Sequence, residues 1–162
     1  MKLDKFRSET EGLLRFIQSS PTAFHAVDTA KRMLSSSGFR ELNEDDEFNI
    51  EPGSEYYVVR NDSSVIAFKL PEKVPTGFEI ICAHTDSPLF KLKANPEIRK
   101  EFYTSLNVER YGGMILSQWF DRPLSVAGRV FIKNGKNGIK SVLFNEDRDL
   151  CLIPSLCIHF IR

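Results

Sequence analysis

Apolar residues near the start of the chain recur at helical spacing. Leu3, Phe6, Leu13, Leu14 and Ile17, with charges between them, predict an amphipathic helix over residues 3–18. Ser19-Ser20-Pro21 stops it and starts a second helix, with Ser20 as the expected N-cap and Pro21 at the first helical position. That helix runs to about Ser36, with Ala23, Val27, Ala30 and Leu34 along one side, and Gly38 is placed to act as a left-handed C-cap. Residues 39–55 are polar and acidic and read as a connector, with a short strand near Phe39–Leu42. Two β-rich runs, Tyr56–Arg60 and Val65–Leu70, flank the turn formers Asn61-Asp62-Ser63-Ser64 and predict a hairpin. After the loop 71–77, Phe78-Glu79-Ile80-Ile81-Cys82-Ala83 is short and mostly apolar. It predicts a strand buried on both faces of a helix-covered sheet, delivering His84-Thr85-Asp86-Ser87-Pro88 at its end.

The pattern changes after Pro96. Residues 102–110 alternate, 126–133 and 139–144 predict strands around Asn134-Gly135-Lys136-Asn137-Gly138, and Leu150 to Arg162 is a further β-like run. Helices with a sheet precede residue 95 and mostly strands follow it. The expected organisation is therefore an α/β part, 1–95, and a β-rich part, 96–162, meeting near Lys93–Pro96.

Composition narrows the function. Lys and Arg number 22, as do Asp and Glu, so the formal net charge is zero. No basic block is interleaved with aromatics, and neither nucleic acid nor an anionic membrane is an expected partner. No apolar run approaches the roughly 20 residues that span a bilayer, and the N-terminus lacks the apolar core of a signal peptide. A soluble, cytoplasmic protein is expected. The three cysteines, Cys82, Cys151 and Cys157, form no Cys-x-x-Cys pair, which argues against a disulfide framework or a zinc ribbon. Cys82 is expected as a small buried side chain.

The candidate chemistry lies at His84 and Asp86. Two residues apart on a strand, they share a face at its carboxyl end, where open α/β sheets bind ligands. A neutral imidazole is a zinc ligand, and Asp86 could hydrogen-bond its other ring nitrogen and fix its orientation. The same pair can also be a surface turn with an ordinary hydrogen bond, and zinc normally needs three protein ligands. His159, in a β-rich apolar context, reads first as a half-buried histidine satisfied by a backbone carbonyl. His25 reads as packing near a helix cap. Gly112-Gly113 lacks a phosphate-cradle pattern and reads as a bend or close backbone approach. Asp121-Arg122 reads as a local ion pair in a turn, and Ser87 and Ser125 lack a nucleophile-elbow context.

At His84-Thr85-Asp86-Ser87-Pro88 the sequence resembles the aspartyl aminopeptidase family of dinuclear zinc peptidases. Further blocks carry the resemblance in order: Ser20 to Val27; Pro52-Gly53 with Tyr56 to Asn61; Leu106-Asn107-Val108-Glu109 with Tyr111-Gly112-Gly113; Trp119 to Val130; and Ile153-Pro154-Ser155-Leu156-Cys157-Ile158-His159. The resemblance implies the start of an α/β/α zinc-peptidase domain followed by a β-rich inserted assembly domain. It implies a large cytoplasmic homo-oligomer, typically a tetrahedral dodecamer, that trims N-terminal residues from peptides, with many members preferring acidic ones. Two zinc ions per active site are implied, with His84 as a ligand and Asp86 as the active-site carboxylate that orients it. His159 is implied either as a zinc ligand or as a group reaching a neighbouring subunit's active site. The family's bridging Asp, paired Glu residues and final His have no counterpart here. The chain is thus expected to be a fragment or a truncated product, inactive alone. The alternative is a non-catalytic assembly or binding module of the same ancestry.

Overall fold

The computed structural model describes residues 2–135 and 138–157. Two helices come first: α1, Lys2–Gln18, and α2, Ala23–Ser36. On α1, oppositely charged residues four apart meet on the surface, as in Lys5–Glu9 at 3.8 Å and Arg7–Glu11 at 3.1 Å. Each such exposed pair contributes only about 0.3–0.5 kcal/mol. Phe6, Leu13, Leu14 and Ile17 line this helix and remain exposed.

The cap of α2 lies two residues beyond the expected one. Thr22, in extended conformation, is the N-cap, and its Oγ1 accepts the His25 N–H at 3.4 Å. Ser20 Oγ is buried and finds no partner among the described residues. The hydroxyl that precedes Pro21 is therefore not the one positioned to reach the free amides of the first turn, and the one that follows it is. The C-terminus follows the expectation. Ser37 is the C-cap, and Gly38 follows at φ +94°, a region L side chains avoid. The Gly38 N–H bonds Ser35 O at 3.1 Å and the Phe39 N–H bonds Leu34 O at 3.1 Å, the paired bonds of a Schellman ending.

Strands β1 (Arg40–Leu42), β2 (Glu55–Arg60) and β3 (Ser64–Lys69) form one sheet in that order. β1 runs parallel to β2, and β2 pairs antiparallel with β3 from Glu55↔Lys69 to Arg60↔Ser64. In the turn between β2 and β3, Asn61 and Asp62 take φ of 53° and 55°, which their short polar side chains tolerate. The core is small. Ala26, Val27 and Thr29 of α2 and Tyr56 and Tyr57 of β2 are the buried residues among those described. Successive strand residues point to opposite faces, so the two tyrosines serve different neighbours. The Tyr57 hydroxyl donates to Glu41 Oε2 at 3.1 Å and lies 2.9 Å from Ser35 Oγ of α2. The Tyr56 hydroxyl accepts from Arg40 Nη2 at 2.7 Å and from the Glu51 N–H at 2.9 Å, tying down the acidic connector.

The predicted strand Phe78–Ala83 does not form. Its residues have no regular structure, Phe78 and Ile81 are 91% and 93% exposed, and Cys82 is exposed rather than buried. A strand buried on both faces exists only through partners on its edges, and no described strand pairs with this one.

Beyond residue 88 the structure is β-rich. β4 (Leu89–Arg99) pairs antiparallel with β5 (Thr104–Tyr111), and the register shifts between Leu92↔Val108 and Glu97↔Leu106. Asn95, at φ 54°, and Pro96 lie in this bulge, so β4 runs through Lys93–Pro96. Gly112, at φ +74°, lies where a Cβ would come 3.4 Å from Pro88 Cα, so the expected close backbone approach is present. A 3-10 turn, Leu116–Trp119, follows, and Trp119 meets Phe90 edge-on at 5.2 Å between ring centres. β6 (Leu124–Asn134) and β7 (Gly138–Cys151) form a further two-stranded sheet. Residues 152–157 carry no strand, so the expected run over 150–162 ends with β7 among the described residues.

The expected Asp121–Arg122 pair is replaced by another contact. The Asp121 carboxylate accepts the Ser155 N–H at 2.9 Å and the Ser155 hydroxyl, which hold it below the usual carboxylate range, while Arg122 donates to Gln118 O. The chain groups into two compact units, one of residues 1–86 with 127–146, the other of 87–126 with 147–162.

Candidate functional site

His84 sits on a loop that leaves Ala83 and enters β4 at Leu89. Its side chain is 83% exposed. The ring Nδ1 lies 2.8 Å from the backbone oxygen of Asp86 and 3.1 Å from Asp86 Oδ1. A carbonyl oxygen can only accept, so Nδ1 must carry the proton in this contact. In the neutral ring that tautomer leaves the Nε2 lone pair available for a cation. The two residues meet as the sequence spacing anticipates. A turn of loop, and not the pleat of a strand, brings them together.

Thr85, between them, anchors the loop. Its Oγ1 donates to Ser63 O at 2.7 Å. Ser63 belongs to the β2–β3 turn, and the same turn is held by Arg129 of β6. Arg129 Nη1 donates to Asn61 O at 2.9 Å and lies 3.4 Å from Asp62 Oδ2. The guanidinium stacks 4.1 Å from the Phe24 ring centre and 5.1 Å from that of Phe131, and the side chain is only 15% exposed. Sequence inspection passed over both residues. The available signals were a hydroxyl residue inside His-x-Asp and an arginine two positions before an aromatic in a strand, and neither is specific.

His25 is placed as expected. Its Nδ1 lies 2.8 Å from the cap oxygen of Thr22, and partial burial lowers its pKa against the opposing pull of Asp28. His159 lies outside the described residues. The donor set at His84 has the right chemistry for zinc but is incomplete. Among the described residues no three His, Cys, Asp or Glu side chains gather to hold a metal ion, whereas zinc normally takes three protein ligands. A groove in the second unit is lined by residues including Pro88, Met114, Ile115, Trp119, Arg122 and Leu124, and among the described residues its lining has no carboxylate, imidazole or thiol.

Comparison with solved structures sets the class. The crystal structure of yeast aminopeptidase 1 is 31% identical, with a TM-score of 0.85 over 94% of this chain and 36% of that one. An S. cerevisiae mApe1 dodecamer is 30% identical, also with a TM-score of 0.85, over 94% of this chain and 36% of that one. The mixed α/β fold is thus that of an aminopeptidase portion. Residues 16–162 match the family described as Aminopeptidase I zinc metalloprotease (M18), and the chain belongs to that family, as its N-terminal portion. A probable M18 family aminopeptidase 2 of Clostridium novyi (strain NT) is 50% identical over 163 residues, which cover 98% of this chain and 37% of that protein. The chain therefore spans little more than a third of the length of this relative. No helix among the described residues is long and apolar enough to cross a membrane.

Proposed function

We propose that this chain supplies the N-terminal part of a zinc aminopeptidase that releases N-terminal residues, acidic ones among them, from peptides. The observation that carries the reading is the exposed His84 imidazole, pinned through Nδ1 to Asp86 so that Nε2 is left available. In this reading His84 is a metal ligand and Asp86 fixes its ring. His159 serves either as a further ligand or as a group directed to a neighbouring subunit's active site. Zinc, when bound, polarises the scissile carbonyl and acidifies a water. Asp86 keeps the imidazole in the tautomer that can bind a cation.

The donors among the described residues are too few to hold zinc by themselves, so residues 1–162 alone are expected to be inactive. The domain division at about 95, with a β-rich assembly part from 96 to 162, belongs to the same reading. So does a cytoplasmic homo-oligomer, for which the dodecameric yeast relative offers the precedent.

Zinc titration by calorimetry, with assays on Asp- and Glu-aminoacyl substrates, tests the reading. The expected result is weak zinc binding that His84→Ala abolishes, with negligible turnover. Turnover by the isolated chain overturns the account of the missing ligands. Zinc binding unaffected by His84→Ala overturns the ligand assignment and favours a non-catalytic assembly module.

A further inference from the structure

We infer that Thr85 and Arg129 are positioning residues for the His84–Asp86 pair, acting through the turn between β2 and β3. The inference rests on the reading of His84 as the imidazole of the site. Loops on a protein surface hold a side chain in one geometry only where their backbone is fixed by neighbours. The residues on either side of Thr85 make the Nδ1 contact, and the Thr85 hydroxyl is bonded to Ser63 O at 2.7 Å. That carbonyl is a reliable anchor only if its turn is rigid. Two non-glycine residues at positive φ, Asn61 and Asp62, precede it. Arg129 grips those two residues, through Asn61 O at 2.9 Å and Asp62 Oδ2 at 3.4 Å.

The arginine is itself immobilised. Phe24 of α2 lies on its guanidinium at 4.1 Å and Phe131 at 5.1 Å, so a planar cation is required and a lysine cannot reproduce the contact. The order of support runs from Phe24 and Phe131 to Arg129, from Arg129 to Asn61 and Asp62, and from Ser63 through Thr85 to the imidazole. Every group in it belongs to the unit formed by 1–86 and 127–146. A residue of β6, distant in sequence from the His84 loop, thus acts on the ring without touching it.

The test reads the imidazole directly and needs neither zinc nor turnover. Ring nitrogen shifts of His84 in the full 162-residue chain, taken well above pH 8, give the ratio of Nδ1–H to Nε2–H tautomers. Nδ1–H is expected to dominate in the unmodified chain. Losing an Nδ1–H bond of ordinary strength changes such a ratio about fivefold. Thr85→Val should lower it by about that factor, Arg129→Met by somewhat less, and Arg129→Lys should fail to restore it. Thr85→Ser, which keeps the hydroxyl, should leave the ratio unchanged. Amide resonances of Val27, Tyr56 and Tyr57 report whether the core survives. If Thr85→Val loses that core, the unmodified chain is compared with Thr85→Ser and Arg129→Lys, and an unchanged ratio in Arg129→Lys overturns the role of the arginine. An unchanged ratio in Thr85→Val with a native core overturns the inference, whether or not His84 proves to bind zinc. A shift in Thr85→Val without one in Arg129→Met removes Arg129 from it.

Discussion

Two apolar runs of this chain, Glu55–Arg60 and Phe78–Ala83, resemble each other in sequence and differ completely in structure. The first is strand β2, with a parallel neighbour on one edge and an antiparallel one on the other, and its Tyr56 and Tyr57 are 1% and 3% exposed. The second pairs with no described strand, and its large side chains face solvent. Hydrophobicity alone did not separate them. Neighbours did, because an extended segment becomes a strand only when its amides and carbonyls are shared with another. The buried run also has specific polar closure at its hydroxyls, through Glu41, Arg40 and the Glu51 N–H, a closure the exposed run lacks among the described residues.

The largest break in this comparison is expected from Tyr56→Ala. It removes a fully buried ring and leaves the Glu51 amide without its acceptor, while Arg40 keeps Glu51 Oε2 and Ser54 Oγ. A loss of about 3–5 kcal/mol, read by urea denaturation, is expected. Ile81→Ala, of similar apolar character in sequence, should change the same midpoint by less than about 0.5 kcal/mol. If Ile81→Ala costs as much as Tyr56→Ala, the exposed run is buried in solution and the contrast fails.

A smaller effect separates the two candidate caps. Thr22→Ala should cost about 1 kcal/mol, and Ser20→Ala should be neutral or slightly stabilising, since the Ser20 hydroxyl is buried without a partner among the described residues. Thermal unfolding of the pair decides it, and the reverse ranking would restore the cap anticipated from Ser20-Pro21. Smaller still is a pH effect from His25. Its folded pKa lies below the ordinary 6.5, so the unfolded chain binds the extra proton in that window. Stability should be fully present above about pH 6.5 and decline as pH falls through that value toward the lower folded pKa. Comparing melting curves at pH 7.5 and 5.5 should show the decline, and His25→Gln should flatten it.

Much of the fold was legible because its cues are local. The heptad-like spacing of Phe6, Leu13 and Ile17, the Gly38 ending and the Asn61-Asp62 turn each carry their information within a few residues. What the sequence concealed depends on distant partners. The fate of Phe78–Ala83 depends on whether other strands reach it. The strand through Lys93–Pro96 is invisible locally because Asn95 and Pro96 look like a break and are absorbed as a bulge. At the candidate site, spacing placed His84 and Asp86 on one face of a strand, whereas a turn of loop makes their contact. The Thr85–Ser63 bond and the Arg129 grip join residues 22 and 68 positions apart, and no periodicity encodes such contacts.

That longest of the polar contacts also sets an order of events. The guanidinium that holds the Asn61 carbonyl is synthesised 68 residues after it. At translation rates of about 5–20 residues/s, the turn waits roughly 3–14 s for its clamp. During that interval α2 and the first sheet can assemble from contacts already made, while the loop bearing the imidazole has its threonine anchored to a turn not yet secured. The geometry around His84 is therefore among the last features of this unit to mature on the ribosome.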